Sequence, residues 1–271
     1  MPELPEVETT RRGIAPALLE RRVVEFIVRD RRLRWPIVAG LESTLRGLIV
    51  RRVERRAKYL LIGFDAGTLI LHLGMSGSLR MLQGHVPPGT HDHWDIRMDS
   101  GQLLRFHDPR RFGSLHWTDA DPDAHPLLAK LAPEPLAAPF DGAYLYRVTR
   151  KRAVAIKHLI MNSQLVVGVG NIYASEALFR ARIAPRRAAR RITKVQAQAL
   201  AQAIKDVLSA AIRIGGTTLR DYVNAEGTPG YFRQKLFVYE REGLPCRVCK
   251  TRIKQFVQGQ RSTYWCPDCQ R

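Results

Sequence analysis

Four cysteines near the end of the chain have the spacing of a metal site. Cys246 and Cys249 form one C-x2-C pair, Cys266 and Cys269 form a second, and 16 residues separate the pairs. Two such pairs can complete the tetrahedral sulfur shell that Zn²⁺ prefers. Two disulfides or a redox role for one pair are the alternatives, which the absence of a secretion signal and of a thioredoxin-like context disfavours. A closed four-cysteine shell leaves no open position, so we expect a structural zinc.

A second set of reactive groups lies at the start of the chain. Pro2 follows the initiator methionine, and a small second residue allows that methionine to be removed, which leaves a secondary amine. An α-amino group, with a reference pKa of about 7.7–8.0, offers far more free amine at neutral pH than lysine at about 10.4. Such an amine can act as a nucleophile, and the adjacent Glu3 can carry protons. A frayed terminus is the plain alternative.

Glu6 lies one helical turn beyond Glu3. It can face the same site or help to hold the terminus. A carboxylate favoured at a helix N-terminus by the helix dipole is an equally good explanation.

The charge balance favours a polyanionic partner. Lys and Arg number 44 against 25 Asp and Glu, which gives a formal net charge of +19 at pH 7. The basic residues recur in clusters within folded-looking segments, for example Arg110-Arg111 and Arg186-Arg187. Lys and Arg that neutralise phosphates release counterions, so nucleic acid is the expected partner and a merely soluble basic surface is the alternative.

Membranes and secretion are not expected. No stretch approaches the roughly 18 uninterrupted apolar residues of a membrane span. The first residues, MPELPEVETT, are acidic where a secretory signal would be basic. We therefore expect a cytoplasmic protein.

Hydrophobic patterning predicts an α+β protein that begins with a β-sandwich. After a short helix near residues 6–13, segments rich in β-branched and aromatic residues alternate with turn signals, which favours an antiparallel sandwich. The predicted strands are residues 23–28, 59–64, 68–73, 95–98, 103–106 and 114–117. This N-terminal domain spans residues 1–118.

The rest of the chain divides into a linker, a helical module and a finger. Residues 119–140 contain five prolines and form the predicted linker. Helical periodicity marks residues 141–236, most plainly up to the pair Gly215-Gly216, and the glycine-rich turn at residues 166–171 separates two helical stretches. Residues 237–271 form the predicted four-cysteine finger, with a basic β-hairpin between the cysteine pairs.

Sequence motifs along the whole chain make it similar to the bacterial formamidopyrimidine-DNA glycosylases. The motifs are PELPEVE at residues 2–8, LGMSG at 73–77, HDPRRFG at 107–113, GVGNIYA at 168–174, GTTLRDY at 216–222, PGYF at 229–232 and QRST at 260–263. The resemblance implies a glycosylase and AP lyase that removes 8-oxoguanine and formamidopyrimidines from duplex DNA by β,δ-elimination. It implies a β-sandwich, a helical domain with a helix-two-turns-helix element and a zinc-finger hairpin.

The same resemblance implies one structural zinc, no nucleotide cofactor, no catalytic metal, a monomer, and a bacterial protein that reaches the nucleoid through its DNA. It assigns the nucleophile to Pro2, the proton donor to Glu3, and phosphate contacts that support elimination to Lys58 and Arg261. On sequence alone Lys58 is an exposed strand lysine and Arg261 a solvated arginine. Glu6 is a possible supporting residue, and His72 is left unassigned.

Further residues match the family's DNA contacts. Met75 and Phe112 correspond to apolar wedges that fill the space left by the extruded nucleotide, and Arg110 to the residue that contacts the orphaned cytosine. The remaining predicted contacts are His91, Arg152, Lys157 and Asn171. Residues 217–231 are predicted to form the loop that covers the extruded base.

Two other functions stay open at this point. An oxidised-pyrimidine glycosylase of the endonuclease VIII type shares the scaffold, although the start of the chain and the loop with Arg110 and Phe112 favour the purine enzyme. A non-catalytic, zinc-bearing protein that detects damage would keep the finger and the wedge but would need no free Pro2.

Overall fold

The computed structural model describes residues 2–216 and 235–271 of the chain. The helices are α1 (Leu4–Leu18), α2 (Leu41–Leu45), α3 (Gly142–Thr149), α4 (Ile156–Ile160), α5 (Asn171–Arg180) and α6 (Lys194–Arg213). The strands are β1 (Val23–Val28), β2 (Val50–Arg56), β3 (Tyr59–Phe64), β4 (Gly67–His72), β5 (Ser78–Gln83), β6 (Asp92–Met98), β7 (Gln102–His107), β8 (Ser114–Thr118), β9 (Lys254–Gln258) and β10 (Arg261–Trp265).

The first eight strands form two four-stranded antiparallel sheets, which confirms the predicted sandwich. The strand orders are β1-β6-β7-β5 and β2-β3-β4-β8. Side chains of both sheets share one apolar core, in which Trp94 stacks on Phe106 with ring centroids 5.2 Å apart. Burying aromatic side chains of this size is a main source of folding free energy.

The N-terminal helix is longer than its sequence pattern indicates. The predicted helix ends near Gly13, whereas α1 continues through Gly13 and Pro16 to Leu18. Ile14, Ala15 and Leu18 are all buried in the sandwich core. Their burial offsets the roughly 1 kcal/mol by which glycine, and the roughly 3 kcal/mol by which proline, disfavour a helix interior.

The chain divides into two compact units. Among the described residues, 2–129 and 214–216 belong to the first, and 130–213 and 235–271 belong to the second. The second unit therefore contains both the helical module and the finger, which the sequence pattern predicts as separate modules. It contains α3 to α6 and the antiparallel hairpin β9-β10, at the place where the basic hairpin is predicted. No helix in the described ranges is long and apolar enough to cross a membrane.

Candidate active site and DNA-binding residues

The two residues proposed for the central chemistry are buried side by side at the start of α1. Pro2 is buried, and Glu3 is 2% exposed. Glu3 takes an extended conformation at the helix N-cap, and its N–H donates to Glu6 Oε2 at 2.9 Å. The Glu6 carboxylate is itself buried. Glu6 therefore fixes the backbone next to Pro2, which favours its holding role over a direct part in the chemistry.

An ion-pair network attaches α1 to a strand of the second sheet. Glu8 accepts hydrogen bonds from Arg11 and Arg12 on its own helix and from Arg55 on β2. Burial alone would raise the pKa of Glu8, but the hydrogen bonds from Arg11 and Arg12 and the charges of Arg11 and Arg55 lower it to about 2. The helix that carries Pro2 and Glu3 is therefore held on β2 by a carboxylate that stays ionised.

Lys58 lies in the turn between β2 and β3, and α1 packs against both strands. Lys58 acts electrostatically on His72, which pairs with Tyr59 across the neighbouring strands. Burial, followed by the charges of Lys58 and Arg34, lowers the pKa of His72 to about 4. His72 Nδ1 also accepts the Gly74 N–H at 2.9 Å, so this nitrogen is unprotonated. His72 is therefore neutral near pH 7.

The predicted wedge residues lie on two turns at one end of the sandwich strands. Met75 follows β4 and is 38% exposed, and Phe112 precedes β8 and is 43% exposed. The Arg110 guanidinium lies 5.0 Å from the centre of the Phe112 ring, which is a cation–π distance. Apolar side chains of this size on turns are available to a partner. The structure thus brings Arg110 and Phe112 together.

Two further predicted DNA contacts are accessible. His91 is partly exposed before β6, and its ring lies 5.8 Å from that of His107. Arg152 is exposed after α3, where its Nε donates to the carbonyl of Val148 at 2.9 Å. Each can direct a donor to a phosphate oxygen.

Lys157 and Asn171 form a buried polar cluster with the finger hairpin. Lys157 is 1% exposed, and its Nζ donates to Asn171 Oδ1 at 2.6 Å and to Thr263 Oγ1 at 2.7 Å. Asn171 Nδ2 donates to the carbonyl of Ser262 at 2.9 Å. Asn171 begins α5 directly after the glycine-rich turn, in which Gly168 has a φ of +77°. The Lys157 ammonium thus faces protein oxygens, and Asn171 is the more accessible of the pair.

The four cysteine sulfurs converge as the spacing predicts. All lie within 4.8 Å of one another, with Cys246 Sγ 3.9 Å from Cys269 Sγ and Cys249 Sγ 3.3 Å from Cys266 Sγ. Sulfurs about 2.3 Å from a tetrahedral Zn²⁺ would be about 3.8 Å apart, whereas a disulfide bond is about 2.05 Å. The four thiols are free. The cluster fits one structural zinc, and the alternative of two disulfides is excluded.

Arg261 is exposed at the tip of the finger hairpin. The two loop residues before it, Gly259 and Gln260, have φ values of +55° and +59°, as a type I′ hairpin turn requires. A Cβ on Gly259 would lie 2.5 Å from Nε2 of the His158 side chain, so a larger residue there would require that ring to move. The turn geometry therefore fixes the backbone from which Arg261 projects.

A buried glutamate without an assigned role holds the segment that leads into the finger. Glu176 on α5 is 1% exposed and accepts the N–H groups of Phe237, Val238 and Tyr239 at 2.9, 2.9 and 3.0 Å. Burial raises its pKa, while the three N–H donors and Arg180 lower it. Sequence reasoning missed Glu176, because its partners lie about 60 residues away. The loop predicted at residues 217–231 lies outside the described residues.

Sequence comparison finds one family along the chain. Three family models match: "Formamidopyrimidine-DNA glycosylase N-terminal domain" at residues 1–115, "Formamidopyrimidine-DNA glycosylase H2TH domain" at 131–223, and "Zinc finger found in FPG and IleRS" at 243–271. Formamidopyrimidine-DNA glycosylases from Thioalkalivibrio sulfidiphilus and Methylococcus capsulatus are 59% and 57% identical, over 100% of both chains in each comparison.

Solved structures agree in fold. The MutM (Fpg) protein of Thermus thermophilus matches with a TM-score of 0.89 and 39% identity, over 99% of this chain and 98% of that one. Lactococcus lactis Fpg in complex with an abasic site containing DNA matches with a TM-score of 0.91 and 29% identity, over 99% of both chains.

The sandwich, the helical module and the cysteine cluster are those of a base-excision-repair DNA glycosylase with AP lyase activity. More narrowly, the chain belongs to the formamidopyrimidine-DNA glycosylase family. The alternative function, a non-catalytic damage-binding protein, is not supported, since the relatives that match this chain over its full length are named as glycosylases.

Proposed function

We propose that the protein excises oxidised purines, 8-oxoguanine and formamidopyrimidines, from duplex DNA and then cuts the strand, with the Pro2 amine as nucleophile. The observation that carries this proposal is the burial of Pro2 and Glu3 together, with the Glu3 backbone fixed by Glu6. A nucleophile and a proton carrier held in one geometry react faster than mobile groups, because less orientational entropy is lost in the transition state. The relatives' name and a Lactococcus lactis Fpg structure with a Fapy-dG containing DNA support the substrate class.

The chemistry begins with removal of Met1, which frees the Pro2 nitrogen. The nitrogen lone pair attacks C1′ and the electrons of the glycosidic bond leave with the base, which takes up a proton. After the attack the Pro2 nitrogen gives up its proton. The sugar ring then opens as O4′ accepts a proton, and the C1′–N bond becomes an iminium. Glu3 is the proton carrier for both steps.

Strand cleavage follows because the iminium withdraws electrons from C2′. Loss of a C2′ proton lets the electrons form a C2′–C3′ double bond and expel the 3′ phosphate. A second elimination expels the 5′ phosphate and leaves a one-nucleotide gap. Lys58 in the turn between β2 and β3 and Arg261 at the hairpin tip are the proposed phosphate contacts that support these departures.

Extrusion of the damaged nucleotide requires side chains that fill the gap. Met75 and Phe112 are exposed apolar wedges, and Arg110, at a cation–π distance from Phe112, is the proposed contact to the orphaned cytosine. His91, Arg152 and Asn171 are the proposed phosphate contacts. We assign Lys157 an indirect part, since its ammonium holds the Asn171 amide.

The decisive experiment is borohydride trapping. Protein lacking Met1 is incubated with an 8-oxoguanine:cytosine duplex in the presence of borohydride, and the adduct is mapped by mass spectrometry. We expect a covalent adduct at Pro2, because borohydride reduces the iminium to a stable amine. Protein that keeps Met1 or carries an N-terminal tag should give neither adduct nor excision, because an amide nitrogen is not nucleophilic.

Variants and substrates complete this experiment. Glu3→Gln should bind the duplex but lose most excision, since an amide cannot deliver a proton. Glu54→Gln is the control: Glu54 is an exposed glutamate of the same unit, and this variant should keep its excision activity. Pro2→Gly keeps a free amine and should trap more weakly. An adduct at Lys58, or normal excision by tagged protein, would overturn the mechanism. Faster excision of an oxidised pyrimidine such as thymine glycol would show the endonuclease VIII type of specificity instead.

A further inference from the structure

The turn with Met75 and the loop with Arg110 and Phe112 are in direct backbone contact. A Cβ added to Gly74, which has a φ of +68°, would lie 2.4 Å from Gly113 N and from the carbonyl carbon of Phe112. No side chain fits there. The turn is closed on itself by a hydrogen bond from Gly77 N–H to the carbonyl of Leu73 at 2.9 Å. The close backbone contact therefore restricts the turn and the loop to one arrangement relative to each other.

One buried carboxylate links these two segments. Asp108 is 0% exposed, and its Oδ1 accepts from Ser76 Oγ at 2.6 Å, while its Oδ2 accepts from Gly113 N–H at 2.8 Å. The Arg110 N–H lies 3.3 Å from both Asp108 Oδ1 and Ser76 Oγ. The carboxylate thus spans the loop from its first residue to its last and reaches across to the Met75 turn.

Asp108 is itself fixed in the sandwich. Its N–H donates to the carbonyl of His91 at 3.0 Å, and its carbonyl lies 2.7 Å from His93 Nε2. Beyond the carboxylate, Arg111 holds a left-handed conformation with a φ of +56° and pairs with Asp30 at 2.7 Å. The loop is therefore anchored at both ends, and Phe112 and Arg110 project from its middle.

We infer that Asp108, with Ser76, is a positioning residue that keeps Met75, Arg110 and Phe112 in the arrangement needed to fill the gap in DNA. This inference rests on the proposed function of those three side chains. A wedge on a mobile loop would lose conformational freedom on binding, and that loss would reduce the affinity for the gapped DNA. Asp108 lowers that cost because the loop is already ordered before DNA binds.

The test compares Ser76→Ala and Asp108→Asn with Ser114→Ala. Ser114 is a matched control: it is buried directly after the loop, and in the described part of the chain its Oγ has no hydrogen-bond partner. Excision of 8-oxoguanine is measured in single turnovers opposite cytosine and opposite adenine. The measured quantity is the ratio of the two rates, with enzyme concentration set by borohydride trapping.

We expect the ratio to fall about threefold to tenfold in Ser76→Ala and Asp108→Asn, which remove or weaken a hydrogen bond to a charged group. Ser114→Ala should leave the ratio unchanged. A purely structural role would reduce the active fraction and both rates alike, so the ratio would not move. The double variant should lose no more than Asp108→Asn alone, because both changes break the same link.

Wild-type protein and Arg110→Ala separate this inference from the proposed function. If wild type traps and excises, and Arg110→Ala removes the discrimination while Ser76→Ala and Asp108→Asn do not, the inference is wrong and the proposed function stands. If Arg110→Ala leaves the ratio unchanged, the assignment of Arg110 fails and the positioning role fails with it. Should Asp108→Asn not fold, Ser76→Ala alone decides the question.

Discussion

Glu176→Gln is expected to destabilise the second unit although the side chain keeps its shape. Glu176 Oε1 accepts two N–H groups, from Val238 and Tyr239, and Oε2 accepts the third, from Phe237. A glutamine oxygen can replace Oε1, but its NH2 group then faces the Phe237 N–H, so two donors meet. The variant therefore loses one hydrogen bond and leaves both the Phe237 N–H and the new amide NH2 without an acceptor.

The size of the effect follows from these contacts. A hydrogen bond to a charged group contributes about 1.5–3 kcal/mol. The two retained bonds weaken because a neutral carbonyl is a poorer acceptor, but the cost of burying a charge disappears, and these effects oppose each other. We expect a loss of about 2 kcal/mol in the free energy of unfolding, and about 4 kcal/mol for Glu176→Ala, which leaves three buried N–H groups without acceptors.

The assay is urea unfolding of the zinc-loaded protein followed by circular dichroism, together with amide exchange of Phe237, Val238 and Tyr239. Glu242→Gln is the matched control, because Glu242 is exposed in the same segment, and such surface changes usually stay within about 0.5 kcal/mol. Unfolding of Glu176→Gln within that margin of wild type, with the three amides still protected, would refute the role assigned to Glu176.

Three further predictions concern zinc, pH and salt. Cys246→Ser should release the zinc and abolish specific DNA binding, measured by metal analysis and band shift; full activity of metal-free protein would contradict it. The pKa of His72 is lowered from 6.5 to about 4. Its contribution to the free energy of unfolding, up to about 3 kcal/mol, is therefore present above pH 6.5 and lost as the pH falls to 4. His72→Gln should remove that part of the acid loss in urea titrations between pH 7 and 4. DNA affinity should fall steeply with salt, and a flat plot of log K against log salt would argue against multiple phosphate contacts.

The strands show what sequence patterns can and cannot predict. The segments at Val23–Val28 and Tyr59–Phe64 are predicted with their observed bounds, because β-branched and aromatic residues there stand between clear turn signals. The strand Val50–Arg56, with the sequence VRRVERR, is not predicted. Arginine has no strand preference, and this strand exists because it pairs with β3 along its length. Ser78–Gln83 is missed for the same reason, since its pairing with β7 is invisible in its own residues.

The site divides in a similar way. The four cysteines could be predicted from spacing, because each pair lies on one short turn. The contacts of Lys157 could not be predicted from the sequence, since Thr263 lies 106 residues away and only the fold brings the two residues together. Lys157 is predicted among the phosphate contacts, and a lysine is ordinarily exposed. The structure gives its ammonium buried protein partners, so we propose that Lys157 acts through Asn171, and the direct phosphate contact expected from the sequence is untested.

Buried polar groups in both units share one physical task. In the first unit Asp108 holds the loop from which Arg110 and Phe112 project, and in the second Lys157 holds Asn171 beside the hairpin strand that begins at Arg261. Each buried group has already lost its water, and several hydrogen bonds offset that loss, so its partners have one favourable arrangement. An enzyme that must extrude a nucleotide gains from this order, because binding energy is then not used to order its own loops. A substitution that leaves the exposed side chain intact but loosens its buried support should therefore affect lesion excision more than nonspecific DNA binding, which depends mainly on net charge.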